Sequence, residues 1–150
     1  EEIIDAESWM KFLNYQPEPI ILNKFYIYRE LLSSIEDKIP VLLNSSMAFG
    51  TGEHDSTKGC LEAMCNLTGF DKFNSILDLG TGSGILAIAA EKFFKCPTYG
   101  IDIDDDAVIV AKNHGLLNKS DAVFYNVQDF DALYGDKKFD LVIANILLIQ

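Results

Sequence analysis

The order of apolar segments predicts an α/β fold with a doubly wound, mostly parallel sheet, and three observations carry that expectation. Short apolar runs alternate with segments of helical periodicity from residue 57 to residue 145; crossover helices in such chains cover a parallel sheet on both faces. A glycine-rich loop, Gly80-Thr81-Gly82-Ser83-Gly84, falls between the first of those runs and the helix after it. The next run ends in a carboxylate, Asp102, 22 positions after Gly80.

The elements follow in order. Residues 1–43 carry mixed signals: Trp9, Phe12, Tyr15, Phe25, Tyr26 and Tyr28 concentrate the aromatics, while Pro17 and Pro19 break any helix between them. Ile20 to Tyr28 reads as a short strand and Glu30 to Glu36 as a helical turn ending before Pro40. The whole segment reads as a linker or appended arm packing on a larger body. Thr57 to Leu67 is the first regular helix, with Cys60, Leu61, Met64 and Leu67 at helical spacing. Strands are expected at Ser75 to Leu79, Thr98 to Ile103, Ala122 to Val127 and Phe139 to Asn145. Gly84 to Phe94 and Ala107 to Asn118 are the helices between them. Right-handed crossovers then bring the carboxyl ends of the strands to one edge, where folds of this kind bind ligands.

Composition narrows the classes. Hydrophobic residues make up 49% of 150 residues, enough for one packed core rather than disorder. Twenty-three acidic against 12 basic side chains leave a formal charge of −11, a poor match for non-specific nucleic-acid binding. Asn145 interrupts the most apolar stretch, and no run approaches the ~20 residues of a membrane span. No secretory signal opens the chain. Cys60, Cys65 and Cys96 form no CxxC pair, and His54 and His114 lie far apart. Neither a zinc site nor a disulfide framework is expected, and free thiols suit a reducing, cytoplasmic compartment.

The glycine loop is the sharpest signal. Glycines at 80, 82 and 84 let the chain turn tightly and bring backbone against a ligand, unless the turn is purely structural. A dinucleotide fingerprint requires glycine where Ile85 stands, and a Walker loop requires a lysine that this loop lacks. Asp102 sits where doubly wound folds place the acid that receives both ribose hydroxyls. A loop and a ribose acid without phosphate machinery suit a nucleoside with an amino-acid tail, which describes S-adenosylmethionine.

The run Asp102-Ile103-Asp104-Asp105-Asp106 begins like a calcium loop, but Ala107 replaces its glycine and Asn113 its closing glutamate. Asp104 to Asp106 read instead as the cap of the next helix. Asp129 is either a solvated loop acid or a partner for an adenine amino group. His54 reads as a flap residue with a structural task, and His114 as a helix C-terminal residue favoured by the dipole.

Leu77 to Ala90 and Gly100 to Asp104 resemble the class I S-adenosylmethionine methyltransferases, a Rossmann-like fold class. Met47-Ala48-Phe49-Gly50-Thr51-Gly52-Glu53-His54, Ser83 to Ala90 and Ala144-Asn145-Ile146-Leu147 narrow the likeness to the ribosomal protein L11 methyltransferases, the PrmA family. Trp9 and Pro17 to Tyr28 resemble that family's interdomain linker. The resemblance implies a cytoplasmic enzyme that moves methyl groups from S-adenosylmethionine to lysine and N-terminal amines of a large-subunit ribosomal protein. Charge, apolar-run length and the Cys and His pattern already lead to the expectation of no metal, no nucleic-acid partner and no membrane. By position the resemblance assigns Thr57, Gly80, Gly82, Asp102 and Asn145 to the cofactor, with Asn145 beside the sulfonium and able to orient the amine.

The chain departs from the pattern at Asn44-Ser45-Ser46, where Asp-Pro-Gly is usual, at His54-Asp55-Ser56-Thr57, and at Thr81, where cysteine is common. The resemblance further implies a division into 1–43, an arm from a preceding substrate-recognition domain, and 44–150, the first half of the methyltransferase domain. Only four of that domain's strands are accounted for, so the 150 residues are expected to be part of a longer chain.

Overall fold

The computed structural model describes residues 19–28, 35–43, 54–67 and 72–146. Two sheets organise them. Strands β1 (Ile20–Ile21), β2 (Phe25–Tyr28) and β3 (Ile39–Leu42) form a small sheet in that order. β1 pairs antiparallel with β2, and β2 parallel with β3. Strands β4 (Ile76–Leu79), β5 (Thr98–Asp102), β6 (Val123–Asn126) and β7 (Leu141–Ala144) form an all-parallel sheet in the order β6-β5-β4-β7. The helices are α1 (Asp55–Asn66), α2 (Ile85–Phe94), α3 (Asp105–Leu117) and α4 (Val127–Tyr134).

Strand parity decides how the larger sheet packs. In register, Ile76, Asp78, Thr98, Gly100, Phe124 and Ile143 share one face, and all six are buried. Helices α2 and α3 lie over that face, and α1 packs on α2. α2 is apolar all round, as a helix sandwiched in a core must be; Ile85 to Ala90 are buried without a break. The Phe124 ring fills the space over Gly100, where any Cβ would collide with it and with Thr81 Oγ1. The alternate residues Leu77, Tyr99, Tyr125 and Val142 point the other way. There α4 brings Phe130 and Tyr134 against Tyr99 and Tyr125, with ring centroids 5.3–5.9 Å apart. The expectation of a sheet covered on both faces is met on one. Among the described residues α4 alone lies on the second, and Val142 stays 53% exposed.

The four parallel strands and three of the helices fall where the sequence pattern put them. Residues 19–43 differ from the expectation. Ile20 to Tyr28 is not one strand but a hairpin, closed by Leu22 N–H donating to Phe25 O at 2.9 Å. Residues 30–34 of the expected helical turn lie outside the described residues; 35–38 form a turn leading into β3, an unexpected strand that contains Pro40. Phe25, Ile27, Val41 and Leu43 join the same apolar core as α2, and Phe25 packs its ring 5.7 Å from that of Phe93. A second unexpected element is α4, which starts without a loop because Asn126 is both the last residue of β6 and the helix cap, its Oδ1 accepting from Gln128 N–H.

Candidate functional site

The carboxyl ends of β4, β5 and β7 meet at one edge, and the middle of the sheet order is where the chain turns from building one side to building the other. Five sequence-predicted residues belong to segments that arrive here. Gly80 and Thr81 both donate their N–H to Ile101 O at 2.9 Å, which sews the loop to the end of β5. Gly82 N–H donates to Asp102 Oδ2 at 2.9 Å, and Asp104 N–H to Asp102 Oδ1 at 3.1 Å. Asp102 is therefore held by two backbone donors, in a half-buried position, with lone pairs remaining on both oxygens.

Two of the loop glycines show why glycine is required. Gly80 has φ +70°, and a Cβ there would collide with the Ile146 side chain. Gly82 has φ +51°, but a Cβ would meet no atom of the described residues within 4 Å. Its backbone thus faces open space at the sheet edge, the arrangement expected where a ligand approaches the main chain. The loop ends at the N-terminus of α2, whose first N–H groups add partial positive charge.

Thr57 and Asn145, 88 positions apart, meet directly: Asn145 Nδ2 donates to Thr57 Oγ1 at 3.1 Å. Thr57 is buried in the first turn of α1. Asn145 follows β7 and precedes Ile146, the residue against Gly80. The Asn145–Thr57 pair and the glycine loop are therefore neighbours, and Asn145 keeps its carbonyl oxygen as an acceptor.

The sequence reading overlooked Asp78. It lies in β4, 1% exposed, with Oδ2 accepting from Thr81 Oγ1 at 2.7 Å; among the described residues its buried Oδ1 makes no well-formed hydrogen bond. Burial pushes its carboxyl up to about 6, and the Asp102 charge adds to the rise; Thr81 and the Ala87 N–H in the first turn of α2 counter it. Burial and then the Asp78 charge also push up the thiol of Cys60, one turn along α1 from Thr57. The clue was available: a carboxylate inside Ile76-Leu77-Asp78-Leu79 breaks an apolar strand as Asn145 does.

Other expectations resolve differently. Asp104 caps α3 with its side chain accepting from Asp106 N–H at 2.9 Å. Asp129 is not a loop acid: it lies in the first turn of α4, exposed, where a carboxylate favours the dipole. His54 stands at the N-cap of α1, exposed and without a side-chain capping bond. His114 lies in the last turn of α3 as expected, but it is buried there, 1% exposed, with Nδ1 2.7 Å from Ser83 O. Residues 47–53 of the flap motif, and Leu147, lie outside the described residues. Among the described residues no group of three acidic, histidine or cysteine side chains gathers as a metal site, and no helix is long and apolar enough to cross a membrane.

A parallel sheet in this strand order, with a glycine loop after its central strand and an acid closing the next, defines the class I methyltransferase fold. Solved structures agree: a crystal structure of ribosomal protein L11 methylase from Lactobacillus delbrueckii subsp. bulgaricus superposes with TM-score 0.74 at 28% identity, covering 88% of this chain and 67% of that one. The model of the family described as ribosomal protein L11 methyltransferase (PrmA) matches residues 2–149, and the chain belongs to that family. Ribosomal protein L11 methyltransferases from Caldicellulosiruptor saccharolyticus and Caldicellulosiruptor bescii are 38% and 41% identical over 96% and 95% of the chain. Those alignments take in 47% and 45% of the relatives, so the chain spans about half the length of the curated relatives it matches.

Proposed function

We propose that the protein containing this chain is an S-adenosylmethionine-dependent methyltransferase acting on lysine and N-terminal amines of ribosomal protein L11. The observation that carries the reading is the meeting, at one sheet edge, of the glycine loop, Asp102 and the Asn145–Thr57 pair in a member of this family. In this reading residues 1–43 are an arm from a substrate-recognition domain, and 44–150 are the first half of the catalytic domain. The setting is cytoplasmic, with neither nucleic acid nor membrane as partner.

The residues fit the cofactor. The free lone pairs of Asp102 receive the ribose hydroxyls, and the open backbone at Gly82 lets the nucleoside lie close. The exposed Ile103, next in sequence, offers an apolar face to the base. The buried Asp78 carboxylate puts a negative charge beneath a loop that must hold a cation. When bound, the cofactor supplies a sulfonium methyl group open to in-line displacement by a neutral amine.

The rest of the task is positional. The Asn145 amide, its nitrogen committed to Thr57, presents its carbonyl oxygen to the incoming amine. That oxygen accepts an N–H from ammonium and amine alike, so it orients the nitrogen without titrating itself. The test uses the full-length protein, S-adenosylmethionine and unmethylated large-subunit proteins, followed by intact masses. A ladder of methyl increments on L11 is expected. Increments on another component, or none while S-adenosylhomocysteine still binds, would discard this substrate and favour a different protein lysine or a small molecule.

A further inference from the structure

The last turn of α3 carries two buried polar side chains that the proposed chemistry does not use. Asn118, 8% exposed, caps the helix. Its Oδ1 accepts from Leu42 N–H at 2.7 Å, and its Nδ2 donates to Leu42 O at 2.7 Å and to His114 O at 2.8 Å. The amide thus pairs with both main-chain groups of Leu42, as a neighbouring strand would. Residues 39 and 43 donate inward, to Lys24 O and Tyr28 O of the segment carrying β2, so the Leu42 groups face the outer edge of the small sheet. Asn118 closes that edge.

One turn earlier, His114 reaches the other way. Its Nδ1 lies 2.7 Å from the carbonyl oxygen of Ser83, the residue between Gly82 and Gly84. A carbonyl only accepts, so Nδ1 carries the hydrogen. The bonds run without a gap from Leu42 in β3, through Asn118 and the last turn of α3, to the His114 ring, Ser83, Gly82 and Asp102. A loop with three consecutive-alternate glycines at positive φ has little conformational preference of its own. Something outside it must fix which way its peptide groups point.

We propose that His114 is a positioning residue for the glycine loop, and that Asn118 anchors it to β3. The bond to Ser83 O fixes the peptide group between Ser83 and Gly84, which limits the turn of the adjoining loop peptides and so helps keep Gly82 N–H on Asp102 while the loop backbone faces the cofactor. This rests on the reading of the loop as the cofactor cradle. The same brace ties β3 of the arm to the glycine loop.

Two substitutions of similar polarity separate the bond from the bulk. His114→Asn keeps a donor at the Nδ1 position; His114→Gln moves it outward to the Nε2 position. In the full-length protein, His114→Gln is expected to raise the S-adenosylhomocysteine dissociation constant and the S-adenosylmethionine KM about tenfold, with little change in the KM of the protein substrate. His114→Asn should stay within about threefold of the parent. Amide exchange of residues 80–84 without ligand should be faster in the glutamine variant than in the asparagine variant. Equal affinities and equal exchange in the two variants would overturn the brace, as would a loss of thermal stability with unchanged affinity. A parent protein that binds no S-adenosylhomocysteine, with the exchange difference still present, would refute the cofactor reading and keep the brace.

Discussion

The small sheet of residues 19–43 and the loop-bearing edge of the large sheet are built on opposite economies of side chain. β2 and β3 put Phe25, Ile27, Val41 and Leu43 into the common core. Among the described residues their polar contacts include the main-chain ladder, Asn118 on Leu42, and Lys38 donating to Leu22 O and Asn23 O. The loop edge does the reverse. It removes side chains at Gly80, Gly82 and Gly84 and buries Asp78 with one oxygen short of a well-formed hydrogen bond among the described residues. One region spends its residues on packing; the other gives up packing to leave backbone and charge facing an open edge. The proposed function therefore sits where the fold is least comfortable, and the two regions should answer mutation in different measures.

The largest expected effect falls on the packing side. Phe25 is fully buried against Phe93. Phe25→Ala should cost about 3–5 kcal/mol of stability, the range for a buried aromatic removed from a core. Below its lowered melting temperature, affinity for S-adenosylhomocysteine should change by less than about threefold, since the Leu42–Asn118 bonds are untouched. Denaturant unfolding and calorimetric titration read the two quantities. A loss of affinity that tracks the loss of stability would erase the distinction between the regions.

The same contrast explains what the sequence disclosed. β4, α2, β5 and α3 were legible because each is long enough to show a period and is bounded by its own punctuation: Gly80 and Gly84, Pro97, Asp104. β3 was hidden by Pro40, which reads as a stop. It is tolerated because β3 is an outer strand and residues 40 and 42 face away from β2, so no ladder bond is lost. α4 was hidden because no turn separates it from β6. At the candidate site, the glycine loop and Asp102 stand out through spacing, whereas the Asn145–Thr57 contact depends on a pairing of distant segments that spacing cannot show. Asp78 and His114 were underread for one reason: a polar residue in an apolar segment declares that it has a buried partner, but only the tertiary structure says which.

Asp78 gives the intermediate effect, with opposite signs for folding and for binding. Its carboxyl titrates near 6 in the folded protein against 3.8 for an ordinary aspartate. Between those values the folded state holds more protons than the unfolded one, so stability falls as pH rises through the window, and the burden is complete above about pH 6. Asp78→Asn, which can still accept from Thr81, should therefore stabilise the unliganded protein at pH 7.5 by on the order of 2–3 kcal/mol. At pH 3.5 the gain should vanish. The same variant should bind S-adenosylhomocysteine more weakly, having lost the charge that offsets the ligand's ammonium group. Unfolding curves at the two pH values decide it: a variant less stable than the parent at pH 7.5 would show that Asp78 earns its place in the fold itself.

The smallest effect in energy is the most specific to the site. Asp102 is half-buried, and its two backbone donors, Gly82 N–H and Asp104 N–H, lie at an edge that water reaches. Asp102→Ala leaves those donors to solvent rather than to a dry core, so the stability cost should stay below about 1 kcal/mol. Binding is different: in the proposed reading both ribose hydroxyls would lose their acceptor, and Gly82 loses its tether. A rise in the S-adenosylhomocysteine dissociation constant of at least about tenfold is expected, with unfolding still cooperative. Asp102→Asn keeps an acceptor for Gly82 but turns a donor toward the ribose, and should recover the loop without recovering the affinity. If the asparagine variant binds as the parent does, the carboxylate serves the loop alone, and the site must take its nucleoside elsewhere along the sheet edge.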